Sequence, residues 1–272
     1  MTLDPDPSPF LAADGRSVIV ALDHALTSGH VAGLQRPGAL LADLAAAGAD
    51  AVIAAPGSAR LARAVAPQLP VLMTVDYYGT DTTPGEAGAL EQHALLFSAA
   101  HAKALGARGL KCLWVHGRRD PDAQLAALRA TAGLLDEARA LALPVMVEAV
   151  LWGGDLAPAR EHDGALVAHA ARMAFELGAD LIKVALPDDV GPLADVAAAI
   201  SVPIVVMGGP VADPRGLFAR IRTVLDAGVR GVALGRNVWA AREPVAMVAA
   251  LRALVHDGAA PEAAWARLHG EA

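Results

Sequence analysis

The sequence predicts a single-domain (β/α)8 (TIM) barrel from three observations: eight short apolar segments between longer alanine-rich ones, punctuation that repeats every two units, and a length of 272 residues. The candidate strands are residues 17–22, 51–55, 71–75, 109–115, 145–151, 181–185, 204–207 and 231–234. Between them, amphipathic stretches such as 36–47, 86–105, 122–141, 165–177 and 214–227 are long enough to cross back over a parallel sheet. Asp213-Pro214 marks one helix start, an N-cap followed by proline at the first helical position.

The punctuation separates even from odd strands. The second, fourth, sixth and eighth each follow a helix-ending glycine, Gly48, Gly106, Gly178 and Gly228, which suits the left-handed position just past a helix. The third, fifth and seventh open with Pro70, Pro144 and Pro203, and proline at a strand's first residue loses no ladder hydrogen bond. This alternation favours a closed barrel over its main structural rival, an open doubly wound sheet. Residues 1–16 read as an N-terminal extension and 17–272 as the barrel.

Composition narrows the partners. A net charge of -7 without a basic cluster argues against nucleic acid and anionic membrane, leaving small molecules. The single cysteine, Cys112, cannot form a disulfide within the chain, and residues 1–16 lack a basic region followed by an apolar stretch. A cytoplasmic protein is expected. No uncharged apolar run reaches the roughly 18 residues that span a bilayer. His162, His169 and His256 show no metal-ligand spacing, so neither a metal nor a cofactor is expected.

Function in such a barrel sits at the C-terminal ends of the strands. There Lys183 interrupts the apolar run Leu181-Ile182-Lys183-Val184-Ala185, as Lys111 and Glu148 interrupt two neighbouring strands. A buried ammonium is costly unless paired or given a task, and a desolvated amine suits attack on a carbonyl to form a Schiff base. Strand parity allows all three charges to point inward as one cluster, in which burial and the like charge of Lys111 would favour a neutral Lys183 amine. Lys111 lies equally deep in its own strand and is the competing nucleophile. Glu148, with its pKa raised by an apolar strand, is the candidate acid/base, and Asp23 either shares that role or binds substrate hydroxyls.

Strands seven and eight carry a phosphate signal. Met207-Gly208-Gly209-Pro210 and Leu234-Gly235-Arg236-Asn237 both leave their strand through glycine, so bare backbone N–H groups can approach an anion beside the Arg236 guanidinium. A short helix after Arg236 would add a favourable dipole. Thr27, Asp76, His116, Arg118 and Arg119 are candidates for binding the far end of a substrate, with Trp114 and Trp152 lining the mouth.

These motifs resemble the class I aldolases of the DeoC/FbaB/LacD group across nearly the whole chain. Val20-Ala21-Leu22-Asp23-His24 is similar to that group's Asp-His at the end of strand one, Asp180-Leu181-Ile182-Lys183 to its Schiff-base strand, and Gly208-Gly209-Pro210 with Gly235-Arg236-Asn237-Val238-Trp239 to its phosphate-binding ends. Lys111 and Glu148 look more like tagatose-bisphosphate and sulfofructosephosphate aldolases. The archaeal-type fructose-bisphosphate aldolases carry a catalytic tyrosine where Val150 stands here, although Gly208-Gly209-Pro210 is closer to theirs. The resemblance implies metal-free retro-aldol cleavage of a phosphorylated ketose or related sugar, giving dihydroxyacetone phosphate and an aldehyde, by a homo-oligomer. Two other readings stay open: a phosphate-binding isomerase or synthase in which Lys183 forms no adduct, and a catalytically silent sugar-phosphate sensor.

Overall fold

A computed structural model describes residues 5–79 and 92–270. Ten strands are present among them: β1 (Ser17–Ala21), β2 (Ala51–Ala54), β3 (Val71–Thr74), β4 (Asp76–Gly79), β5 (Gln92–Leu95), β6 (Gly109–Val115), β7 (Val145–Val150), β8 (Leu181–Ala185), β9 (Ile204–Met207) and β10 (Gly231–Leu234). Eight close into a parallel barrel in the order β1-β10-β9-β8-β7-β6-β3-β2, while β4 and β5 form a separate antiparallel hairpin. The eight expected strands are thus the eight staves of the barrel.

The punctuation behaves as its chemistry requires. Gly48, Gly106, Gly178 and Gly228 all adopt positive φ, between 84° and 96°, at the ends of their helices. Two residues beyond Gly48 and Gly178, Asp50 and Asp180 each accept a hydrogen bond from the backbone N–H of a neighbouring strand, Val18 at 2.7 Å and Val145 at 2.9 Å. The same Gly-Ala-Asp phrase therefore ends a helix and fixes a strand start at two places in the barrel. Asp213 caps the helix at Pro214–Asp226 by accepting from the Gly216 N–H.

The helix expected over 86–105 is a correction. Residues 80–91 lie outside the described residues, residues 92–95 pair with β4, and the helix runs only over Ala99–Ala104. Ser98 sets its start by accepting from the His101 N–H, which fixes the N-cap well downstream of the apolar pattern.

Alternation along the strands divides the interior. Ile19, Ala21, Ala51, Ile53, Leu72, Met146, Leu181, Val205 and Ala233 face the barrel axis and pack with Phe10. Phe10 belongs to residues 5–16 and is fully buried. Gly109 makes room for it, since a Cβ at that position would stand 2.8 Å from the Phe10 ring. Burying an aromatic side chain of this size contributes about 3 kcal/mol. The other face of the strands packs against the surrounding helices, in a second and larger apolar cluster.

Candidate active site

Lys183, Glu148 and Lys111 occupy inward positions one step above that apolar floor. Leu181 and Met146 point to the axis, so the residues two further on, Lys183 and Glu148, do too, and the register places them directly opposite each other. Lys111 pairs with Met146 across β6 and β7 and shares the same face. The parity expectation holds, and all three side chains are buried.

Glu148 stands between the two lysines. One carboxylate oxygen lies 2.7 Å from Lys183 Nζ and the other 2.8 Å from Lys111 Nζ. Lys111 is also 3.4 Å from Asp23, whose carboxylate accepts a 2.7 Å hydrogen bond from Thr74 at the end of β3. Burial alone would lower the Lys111 pKa, but Glu148 and Asp23 outweigh it and hold the ammonium well above the ordinary lysine value. The three charges form the one cluster that was expected, with the Glu148 carboxylate standing between the two ammonium groups.

The expected rise in the Glu148 pKa is a second correction. Burial pushes it up, yet the Lys111 and Lys183 ammonium groups together pull it below the usual carboxylate range. Burial likewise raises the Asp23 carboxyl, and Lys111, His24 and Lys183 more than reverse it. Both groups are therefore carboxylates in the resting site, able to accept protons.

Above this cluster opens a pocket lined by Asp23, His24, Lys111, Glu148, Lys183 and the exits of β9 and β10. Each sequence-identified glycine sits there for its own reason. A Cβ on Gly235 would meet His24 at 2.4 Å and one on Gly208 would meet Leu234 at 2.8 Å, while Gly209 has φ of 66° and open space before it. Arg236 joins the lining, and its Nε is buried without a hydrogen-bond partner among the described residues. Asn237 ties the two exits together, accepting from the Ala212 N–H at 2.8 Å and donating to the Pro210 carbonyl at 2.9 Å.

The residues expected at the far end of a substrate are placed elsewhere. Thr27, Asp76, His116, Arg118, Arg119 and Trp114 do not line the pocket. Asp76 instead accepts from the Leu113 N–H and lies 2.8 Å from His93, pinning the β4–β5 hairpin to β6. His116 packs at a tilt against the rings of Trp114 and His169. Arg119 donates to the Gly154 carbonyl at 3.0 Å.

Ser28, Tyr78, Trp152 and Glu161 line the pocket in their stead, and of these only Trp152 was picked out from the sequence. Tyr78 comes from β4, where alternation turns Tyr77 toward solvent and Tyr78 inward. Burial, the largest influence, pushes its phenol up to about 12. Trp152 Nε1 donates to the Glu161 carboxylate at 2.8 Å. Among the described residues, no group of three or more His, Cys, Asp or Glu is arranged to hold a metal ion, and no helix is long and apolar enough to cross a membrane.

The chain is similar to known aldolases. A family profile described as DeoC/LacD family aldolase matches residues 17–241. A 2-amino-3,7-dideoxy-D-threo-hept-6-ulosonate synthase from Halobacterium salinarum is 33% identical over 257 residues, covering 94% of this chain and 93% of that one. A 2-amino-4,5-dihydroxy-6-oxo-7-(phosphonooxy)heptanoate synthase from Streptomyces griseus is 31% identical, over 89% of this chain and 85% of its own. Among solved structures, a Schiff base forming fructose-1,6-bisphosphate aldolase superimposes with a TM-score of 0.80 at 26% identity, covering 93% of this chain and 100% of the other. An archaeal fructose-1,6-bisphosphate aldolase with its catalytic lysine bound to a carbinolamine intermediate matches at the same score and identity, covering 93% and 99%.

Proposed function

The chain belongs to the DeoC/LacD family of aldolases, and from that premise we propose that Lys183 is its Schiff-base nucleophile and a phosphorylated ketose its substrate. The protein is a class I aldolase, an aldehyde-lyase that works through an imine on lysine. The observation that carries the assignment is the Glu148 bridge, 2.7 Å from Lys183 and 2.8 Å from Lys111, at the floor of a pocket with glycine-lined walls.

Two carboxylates hold the Lys111 ammonium, which makes it an electrostatic anchor rather than a nucleophile. Among the described residues, Lys183 touches the carboxylate of Glu148 alone, and that contact supplies a proton acceptor. The proposed sequence begins when Glu148 takes a proton from the Lys183 ammonium and the freed amine adds to the ketone carbon. The carbinolamine then loses its hydroxyl as water, with Glu148 returning the proton, and leaves an iminium ion. In the cleavage step a base removes the proton of the substrate hydroxyl, the C–C bonding pair flows into the iminium, and an aldehyde departs. Glu148 is the base closest to the nitrogen, and Asp23, held by Thr74 and Lys111, orients the hydroxyls. Reprotonation of the enamine carbon and hydrolysis release the ketone, assigned here as dihydroxyacetone phosphate.

Gly208, Gly209, Gly235 and Arg236 form the proposed phosphate site. β9 lies next to β8 in the barrel, which suits a phosphate one carbon from the reacting ketone. Reduction with borohydride in the presence of ketose phosphates tests the whole reading: the ketone fragment's mass should appear on Lys183, and its absence with every substrate refutes the assignment. A homo-oligomer is proposed from the resemblance and a cytoplasmic location from the single cysteine and the composition of residues 1–16, to be checked by light scattering and by cell fractionation.

A further inference from the structure

We infer that the site accepts a ketose bearing a single phosphate, on the ketone side, and turns away a second phosphate at the aldehyde end, where Trp152 holds the Glu161 carboxylate against the pocket. This rests on the proposed function and names its substrate class.

The charges lining the pocket decide it. Asp23, Glu148 and Glu161 face Lys111, Lys183 and Arg236. Both lysines are spoken for by Glu148, and Lys111 by Asp23 as well. Arg236 makes no ion pair among the described residues, so the pocket offers one cation for one dianion, and it stands at the β10 exit. His24 adds no second, because burial, with Lys183 and Arg236 beside it, lowers its pKa despite the neighbouring Asp23.

The opposite wall, on the side of β3, β6 and β7, carries the Glu161 carboxylate. Tyr78 keeps its proton and adds no charge, its phenol engaged with the Thr27 hydroxyl, and Trp152 Nε1 holds the Glu161 carboxylate at 2.8 Å. A phosphate there would meet a fixed like charge and lose its hydration without a partner. Arg118, Arg119 and Arg160 lie outside the lining, and Arg160 is bound to Asp163 at 2.8 Å.

The test compares cleavage of D-fructose 1-phosphate and D-fructose 1,6-bisphosphate. Wild type should favour the monophosphate in kcat/KM by about tenfold or more. Glu161→Gln keeps an acceptor for Trp152 but removes the charge, and should raise bisphosphate efficiency about tenfold while the monophosphate changes less than about twofold. In the synthetic direction, wild type supplied with dihydroxyacetone phosphate should take D-glyceraldehyde over D-glyceraldehyde 3-phosphate by a similar ratio, a readout that needs no variant. Equal use of the paired substrates by wild type, or an equal effect of Glu161→Gln on both, overturns the inference. Borohydride adducts from both ketoses without a preference sink this inference alone, whereas no adduct from either sinks the proposed function beneath it.

Discussion

Two clusters of opposite charges sit at the two ends of this barrel and use their residues differently. At the C-terminal end, Glu148 bridges Lys111 and Lys183. At the N-terminal end, His256 bridges Asp14 and Asp50, 2.9 Å from each, while Arg252 reaches Asp50 at 3.3 Å. The lower network ends in backbone: Asp50 accepts from the Val18 N–H, Asp14 from the Arg16 N–H, and Arg252 donates to the Gly48 carbonyl. It ties the N-terminal segment and the last long helix, Pro244–Val255, to the strand starts. Among the described residues, the side chains of Glu148, Lys111 and Lys183 have no backbone partner, and the upper cluster opens on a pocket. Partners fixed by the main chain make a fastening, and partners that are all side chains facing a cavity make a reagent.

The comparison is most sharply tested at Lys183. Lys183→Met should lower turnover on the order of 10⁵-fold with little change in Tm, because Glu148 keeps Lys111 at 2.8 Å; a collapse of Tm would make the upper cluster a fastening too. Glu148→Gln should slow turnover about 10²-fold or more while borohydride still traps an adduct on Lys183, and an undiminished rate would transfer the base role to Asp23. For Arg236→Ala, KM for phosphorylated ketoses should rise about tenfold or more with kcat nearly unchanged. If unphosphorylated ketoses suffer equally, the anion site lies elsewhere.

The lower cluster should respond in the reverse sense. His256→Gln should cost about 1 to 2 kcal/mol, or a few degrees in Tm, and leave kcat/KM at 25 °C intact. Its pH dependence has a definite sign. Hydrogen bonds to Asp50 and, after the opposing effect of burial, to Asp14 raise the His256 pKa, so its contribution is complete below the unfolded histidine value and fades as pH rises through the folded one. For Asp14, burial pushes the pKa up but His256 and Arg16 bring it down, so its share is lost as pH falls through the lowered value. Thermal unfolding across pH should therefore show a plateau between those limits, at a lower level in His256→Gln and without the decline on the alkaline side. An identical alkaline slope in both proteins would refute the assignment.

The sequence discloses these regions unevenly. The eight barrel strands and their ends are legible to within a residue, because glycine at positive φ and proline at strand starts obey local rules, whereas the β4–β5 hairpin is not. The inward cluster is legible too, since a charge in an apolar strand and a period of two fix its face. Tyr78 and Glu161 escape such reading: nothing local says that a hairpin or a loop will fold back over the barrel mouth. The Asp76–His93 pairing that pins the hairpin spans sequence partners whose meeting depends on β6, and the same distance hid the partners of His256. The Glu148 pKa was misjudged for a related reason, since burial can be read from one strand but the two opposing ammonium groups only from three.

Phe10, which seals the barrel floor, also governs the order of events above it. With an aromatic ring filling the lower opening, solvent reaches Lys183 through the same mouth that admits the ketose. The aldehyde must therefore vacate the entrance before the hydrolytic water can free the enzyme-bound ketone, an obligatory sequence of departures. Excess aldehyde product should accordingly protect the covalent intermediate, lengthening its lifetime in proportion to occupancy. Rapid quenching with borohydride at rising aldehyde concentration would record that lengthening as a growing trapped fraction.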